Sequence, residues 1–217
     1  MNGSFIIFSV INTLFALLIS PLFMSLIKKV KAYAQGREGP PLLQTYYQLG
    51  KLLRKETVYS ANSSAIMRVA PYVNMVFMLA ASLFVPLIFI PDPASGIGNL
   101  VLFLYLMVAA KFFMALGGLD AGSAFGGMGS SREMNFSAIV EPVVIIVFAA
   151  LAFVLNSVNL HEMFALTSDS SFVSSPTLLL ISIALFIILI VETARVPVDN
   201  PETHLELTMI HEAMLLV

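Results

Sequence analysis

The sequence predicts an all-α fold, a polytopic transmembrane helical bundle, and three observations carry that reading. Hydrophobic residues make up 59% of the 217 residues and charged residues only 11%, with a mean hydropathy of +0.93; a soluble domain carries about a quarter charged residues. The apolar residues fall into blocks near the roughly 20 residues that a helix needs to cross hydrocarbon. The few basic residues gather in alternate connections, which orients the bundle. Residues 1–217 read as one membrane domain.

The blocks run from Phe5 to Ile27, Val69 to Ile90, Leu100 to Leu116, Phe136 to Leu155 and Phe172 to Val191. The first has no positively charged n-region ahead of it, so it is expected to be a retained span rather than a cleaved signal. A sixth block opens at Leu207 and stops at Val217, too short to cross the membrane alone. The expectation is therefore five full spans plus the start of a sixth.

Lys28, Lys29, Lys31, Arg37, Lys51, Arg54, Lys55 and Arg68 lie between the first and second blocks, while the second and fourth connections contain neither Lys nor Arg. Arg132 and Arg195 fall in the remaining odd-numbered connections. The positive-inside rule then puts the N-terminus outside. Within the first cytoplasmic loop, Leu42, Tyr46, Leu49 and Leu53 repeat at helical spacing after Pro40-Pro41, which predicts an amphipathic interfacial helix. Amphipathicity alone does not choose between a helix beside a subunit contact and a connector resting on headgroups.

Several function classes drop out. A net charge of -2 with 11 Lys and Arg offers no basic face for nucleic acid. There are no cysteines, so the chain supplies neither disulfides nor thiolate ligands for an iron–sulfur cluster. His211-Glu212 begins a zinc-protease string, but Leu215 stands where the second histidine belongs. Gly118, Gly122 and Gly126 form a small-xxx-small pattern, and Gly126, Gly127 and Gly129 complete no nucleotide fingerprint, so close helix packing or a turn explains them better. No catalytic, cofactor-binding or metal-binding residue is expected on this chain.

Ionisable residues at membrane depth are costly and mark functional positions. Lys111 in the third span, Glu141 in the fourth and Glu192 at the cytoplasmic end of the fifth meet that description; snorkelling or a structural partner for Lys111 and a protonated packing role for Glu141 beside Pro142 are the plainer alternatives. The run from Glu192 through Arg195, Pro197, Asp199, Pro201, Glu202 and His204 to Glu206 is denser in charge than anything around it. Pro201 after Asn200 predicts a new helix start, with Glu202 and Glu206 on one face. Repulsion and desolvation favour the protonated form of some clustered carboxylates, which suits them to exchange protons. A solvated loop with Glu192 and Arg195 paired at i, i+3 is the alternative.

Four segments resemble complex I subunit 1 (the respiratory-chain NADH dehydrogenase subunit 1 family), and most closely its homologues in formate hydrogenlyase, hydrogenase-4 and archaeal membrane-bound hydrogenases. They are Gly36-Arg37-Glu38-Gly39-Pro40; Gly118-Leu119-Asp120-Ala121-Gly122-Ser123 with Ser130-Ser131-Arg132-Glu133-Met134; Glu141-Pro142; and Glu192 through Glu212. Pro197-Val198-Asp199 replaces the Pro-Phe-Asp usual in the quinone-reducing branch. The resemblance implies an eight-helix subunit, of which this chain lacks the later helices, between a peripheral electron-transfer arm and antiporter-like membrane subunits. It implies that Glu192, Asp199, Glu202 and Glu206 line the junction, that Glu141 lies on an internal proton path, and that Arg37 and Arg195 organise the cytoplasmic face; Lys111, by its membrane depth, is a further coupling candidate, and Arg132 a further residue expected on the cytoplasmic face.

The expected function is that of a non-catalytic membrane subunit that couples electron transfer in a [NiFe]-hydrogenase-like arm to proton or sodium translocation. Hydrogenase-like large and small subunits would hold the nickel–iron centre and the iron–sulfur clusters, in a prokaryotic plasma (inner) membrane. The alternative is the quinone-site subunit of a complex I-type NADH:quinone oxidoreductase. A free-standing secondary transporter would favour a two-fold internal repeat, which the sequence does not display.

Overall fold

The computed structural model describes residues 3–60, 63–90, 98–167, 175–195, 198–199 and 214. The expectations for Pro197, Pro201, Glu202, Glu206, His211, Glu212 and the sixth block lie outside these residues. The described residues form helices α1 (Gly3–Ala34), α2 (Gln44–Leu52), α3 (Ala65–Ser82), α4 (Leu100–Asp120), α5 (Ala124–Leu155), α6 (Leu160–Thr167) and α7 (Pro176–Glu192), with no strand among them. Helices α1, α3, α4 and α5 are long and apolar enough to cross a membrane. Helix α7 has 17 residues and is about 25 Å long, at the short end of the spanning range.

The boundaries differ from the hydropathy blocks for physical reasons. Helix α3 ends at Ser82 rather than Ile90, since Pro86 disfavours helix in the residue before it. The extended segment that follows is held by Asn12 of α1, which is 1% exposed. Its Oδ1 accepts from the backbone N–H groups of Ile88 and Phe89, and its Nδ2 donates to the Phe89 carbonyl at 2.7 Å. A side chain inside a span thus satisfies backbone groups that lipid cannot.

Helix α5 begins twelve residues before the apolar block, at Ala124, with Ser123 accepting from the Gly126 N–H as its N-cap. The glycine-rich stretch is therefore helical, and it packs tightly against α4. A Cβ at Gly118 would lie 2.5 Å from Ser130 Oγ, and one at Gly126 would lie 2.6 Å from the Gly118 carbonyl. Ser130 Oγ donates to the Ala115 carbonyl at 2.9 Å. Small residues let the two backbones approach, as in membrane helix pairs. The same antiparallel register, 118 beside 126 and 115 beside 130, brings Glu133 level with Lys111.

Helix α4 packs between α3 and α5, and α7 packs against α5. Asp120 closes the α3–α4 pair: its carboxylate accepts from the backbone N–H groups of Ser64 and Met67 and from Ser64 Oγ, at the N-terminus of α3. Helix α2 rests on α1 through Ser25 Oγ and Thr45 Oγ1, 2.6 Å apart, and through the Tyr46 hydroxyl, which donates to the Leu18 carbonyl. Leu49 and Leu53 of its apolar stripe stay exposed. So do Leu18, Phe153, Leu180 and Phe186 on the bundle's outer surface. An aqueous fold would bury such side chains, whereas lipid has no reason to.

Candidate ion-coupling site

The bundle brings three of the sequence-selected residues together. Lys111 Nζ lies 2.6 Å from Oε1 and 2.5 Å from Oε2 of Glu192, and the two side chains are 17% and 22% exposed. Lys111 sits midway along α4, and Glu192 is the last residue of α7. A carboxylate at a helix C-terminus faces the negative end of the helix dipole, so the ammonium offsets both the dipole and the loss of water. Burying either charge alone would cost several kcal/mol. Glu141 lines a 560 Å³ groove with Lys111 and Glu192, among Val101, Leu104 and Val108 of α4.

The chain leaves α7 in a way that keeps this end compact. Arg195 N–H bonds the Ile190 carbonyl and Ala194 N–H the Val191 carbonyl, a Schellman cap with Ala194 at φ 47°. An alanine in the left-handed region carries strain of order 1 kcal/mol or more, which the cap offsets. The N–H groups of Val198 and Asp199 then turn back onto the Arg195 carbonyl. Asp199 is buried, at 5% exposed.

The expected arginines divide. Arg37 holds the same position after α1 that Arg195 holds after α7: its N–H bonds the Ala32 carbonyl across Gly36, whose φ of 69° suits glycine. Both side chains are exposed. Arg195 Nη2 approaches Met24 Sδ of α1 at 3.9 Å. Arg195 is not the partner of Glu192; Lys111 is. Arg132 is half-buried on the first third of α5.

Glu133 is the residue that hydropathy reasoning missed as a site. It is 8% exposed and lines a 20 Å³ cavity with Lys111, Ser137, Glu192 and Val198. That volume holds about one water molecule. Glu133, Ser137 and Glu141 share one face of α5 at i, i+4 and i+8. Glu133 stands ahead of the apolar block that opens at Phe136, where hydropathy alone does not mark a span. Among the described residues no group of three or more His, Cys, Asp or Glu could hold a metal ion.

Residues 6–211 match the NADH dehydrogenase family. The chain is 32% identical over 206 residues to hydrogenase-4 component C of Escherichia coli (strain K12), covering 95% of this chain and 65% of that protein. It is 30% identical over 202 residues to formate hydrogenlyase subunit 4 of the same organism, covering 93% and 66%. It therefore spans just under two thirds of the length of these relatives. The fold is similar to that of a chain in the structure of the membrane-bound sulfane sulfur reductase, an archaeal respiratory membrane complex, with a TM-score of 0.76 at 20% identity over 97% of this chain and 72% of that one.

Proposed function

The chain belongs to the NADH dehydrogenase subunit 1 family, and from that premise we propose that it is a membrane subunit of an energy-converting oxidoreductase complex. In this reading it couples electron transfer in a [NiFe]-hydrogenase-like peripheral arm to the movement of protons or sodium ions. The observation that carries the reading is the Lys111–Glu192 ion pair held inside the bundle, with Glu133 and Glu141 lining the cavities that meet at it. Packing alone gives no reason to hold a half-buried ion pair between apolar helices, since apolar residues of like volume are as stable or more so.

The N-terminus faces outward and the basic end faces the cytoplasm, with α2 in the interface and α7 completing a fifth span. The chain lies in a prokaryotic plasma (inner) membrane. Hydrogenase-like large and small subunits dock at the cytoplasmic end, near Arg37, Arg195 and Asp199, and supply the nickel–iron centre and iron–sulfur clusters. Glu202 and Glu206 extend the acidic junction. Antiporter-like subunits lie alongside in the bilayer.

A second reading has one observation in its favour. A 520 Å³ groove lined by Tyr59, Arg68, Tyr72, Asn74 and Gly117 is largely apolar with a polar rim, and suits a quinone headgroup and tail. Affinity purification from native membranes in mild detergent separates the two. A nickel-containing large subunit and hydrogen-linked dye reduction support the first; a flavin-containing, NADH-oxidising arm supports the second and overturns the first.

A further inference from the structure

The groove between α3 and α4 is separate from the ion pair and carries a cation of its own. Its volume is 520 Å³, within the range of ligand sites. A Cβ at Gly117 would lie 3.0 Å from Ala70 Cβ, so α3 and α4 nearly touch here. Met114 and Met214 add apolar lining, and Pro71 and Tyr72 are lining residues of α3 that stay exposed. A long apolar chain can therefore enter from the lipid side.

Polar groups gather toward the start of α3. Arg68 is in the first turn of that helix, where a span meets the headgroups, and its guanidinium lies 5.2 Å from the centroid of the Tyr59 ring. That contact holds the cation beside the connection that follows α2. The described lining contains no carboxylate. Asp120 accepts from the N–H groups of Ser64 and Met67, so the end of α3 is already capped and the charge that a ligand meets is the Arg68 side chain. Tyr72 stands one turn further along α3 on the same side as Arg68. Helical side chains lean toward the N-terminus of their own helix, which brings the Tyr72 hydroxyl toward the level of Arg68.

Those features select the ligand. A guanidinium presents a planar fork of donors that matches a phosphate, and the phosphate found at headgroup level is that of a phospholipid. From Lys28 to Arg68 the sequence holds eight basic residues and two acidic ones, a balance that draws anionic lipid to this side of the bundle. A quinone brings no charge for Arg68 to neutralise. Resting on the first reading above, which leaves the groove free of quinone, we propose that the groove is a binding site for an anionic phospholipid. The phosphate sits on the Arg68 guanidinium, the Tyr72 hydroxyl donates to a glycerol ester carbonyl, and one acyl chain runs past Ala70 and Gly117 to Met114. Asn74 is six residues beyond Arg68, about 9 Å along the axis, and lies beside the acyl chain rather than the headgroup. The bound lipid ties the 57–59 connection to α3.

The test uses the whole complex purified in mild detergent, with the phospholipid and quinone that survive extensive washing counted by mass spectrometry. The unaltered complex should keep a stoichiometric anionic phospholipid. Arg68→Gln should lower the retained amount several-fold, and Arg68→Lys should restore part of it. Arg54→Gln removes an exposed basic residue outside the groove and should change nothing; an equal loss there would mean general surface attraction and would overturn the site. Asn74→Leu should keep the lipid, and its loss would overturn the placement of the headgroup at Arg68. A measurement that needs no variant uses phosphatidylglycerol with a photoreactive group midway along one acyl chain. It should label the peptide holding Met114 several-fold more than the phosphatidylcholine analogue does, and equal labelling counts against the site. A nickel-containing complex without Arg68-dependent lipid would overturn the site and leave the proposed function standing. A flavin-containing complex whose quinone is lost with Asn74→Leu would overturn both.

Discussion

Removing the Lys111 ammonium should be far more damaging than removing the charge of its partner. Lys111→Met strands the Glu192 carboxylate at a helix C-terminus with both oxygens stripped of their donor. Breaking a buried pair from one side costs about 3–5 kcal/mol, and since both side chains keep some exposure, 17% and 22%, the lower end applies. A loss of about 3 kcal/mol lowers the folded-to-unfolded ratio by roughly a hundredfold. Glu192→Gln should cost only about 1 kcal/mol, the scale of a single hydrogen bond, because the freed ammonium has Glu133 level with it and Glu141 in the same groove. The double variant Lys111→Met/Glu192→Gln buries no charge at this point and should be more stable than Lys111→Met alone. The assay is unfolding in mixed micelles with a denaturing detergent, followed by circular dichroism. Equal costs for the two single variants, summing in the double, would refute the argument, because they would mean that the two groups do not interact.

Three further expectations follow from the packing. Asn12→Leu leaves the N–H groups of Ile88 and Phe89 and the Phe89 carbonyl without their partner, and should cost about 2–3 kcal/mol, read as a lower thermal midpoint in detergent. Gly118→Val pushes a branched side chain into Ser130 and should cost about 1–3 kcal/mol by overpacking, whereas Gly127→Ala meets nothing within 4 Å and should be silent in the same melt. With no cysteine in the chain, a single cysteine at the exposed Val158 should be labelled by an impermeant reagent from outside intact cells, and one at Glu38 only after the membrane is opened; the reverse pattern would invert the orientation.

The helices were legible because hydrophobic length is a direct consequence of bilayer thickness, and α1, α3, α4 and α5 all arise where apolar blocks stand. Their ends were less legible. Hydropathy cannot see that α5 continues through Gly126 and Gly129, because those residues are neither apolar nor charged, and Gly126 reveals its role only against Gly118 of α4. Glu133 was hidden with them. Lys111, Glu141 and Glu192 were visible one by one as charges at membrane depth, yet spacing along the chain offered Glu192 only Arg195. The partner 81 residues away becomes evident when α4 and α7 are folded against α5. Asn12 went unread for a related reason: a lone amide in a span signals nothing until the backbone it satisfies is placed beside it.

The central claim is that a carboxylate inside the bundle carries the link between electron transfer and ion movement. Glu192→Gln tests it most directly, because the change keeps the shape and hydrogen-bonding capacity of the side chain while removing its charge and its exchangeable proton. The measurement is the ion gradient formed per electron in vesicles holding the assembled complex, with electron transfer to an artificial acceptor followed in parallel. The expected result is electron transfer near the wild-type rate with most of the gradient per electron lost. A full gradient at the wild-type rate would contradict the account, and would leave the Lys111–Glu192 pair as a structural clamp between α4 and α7.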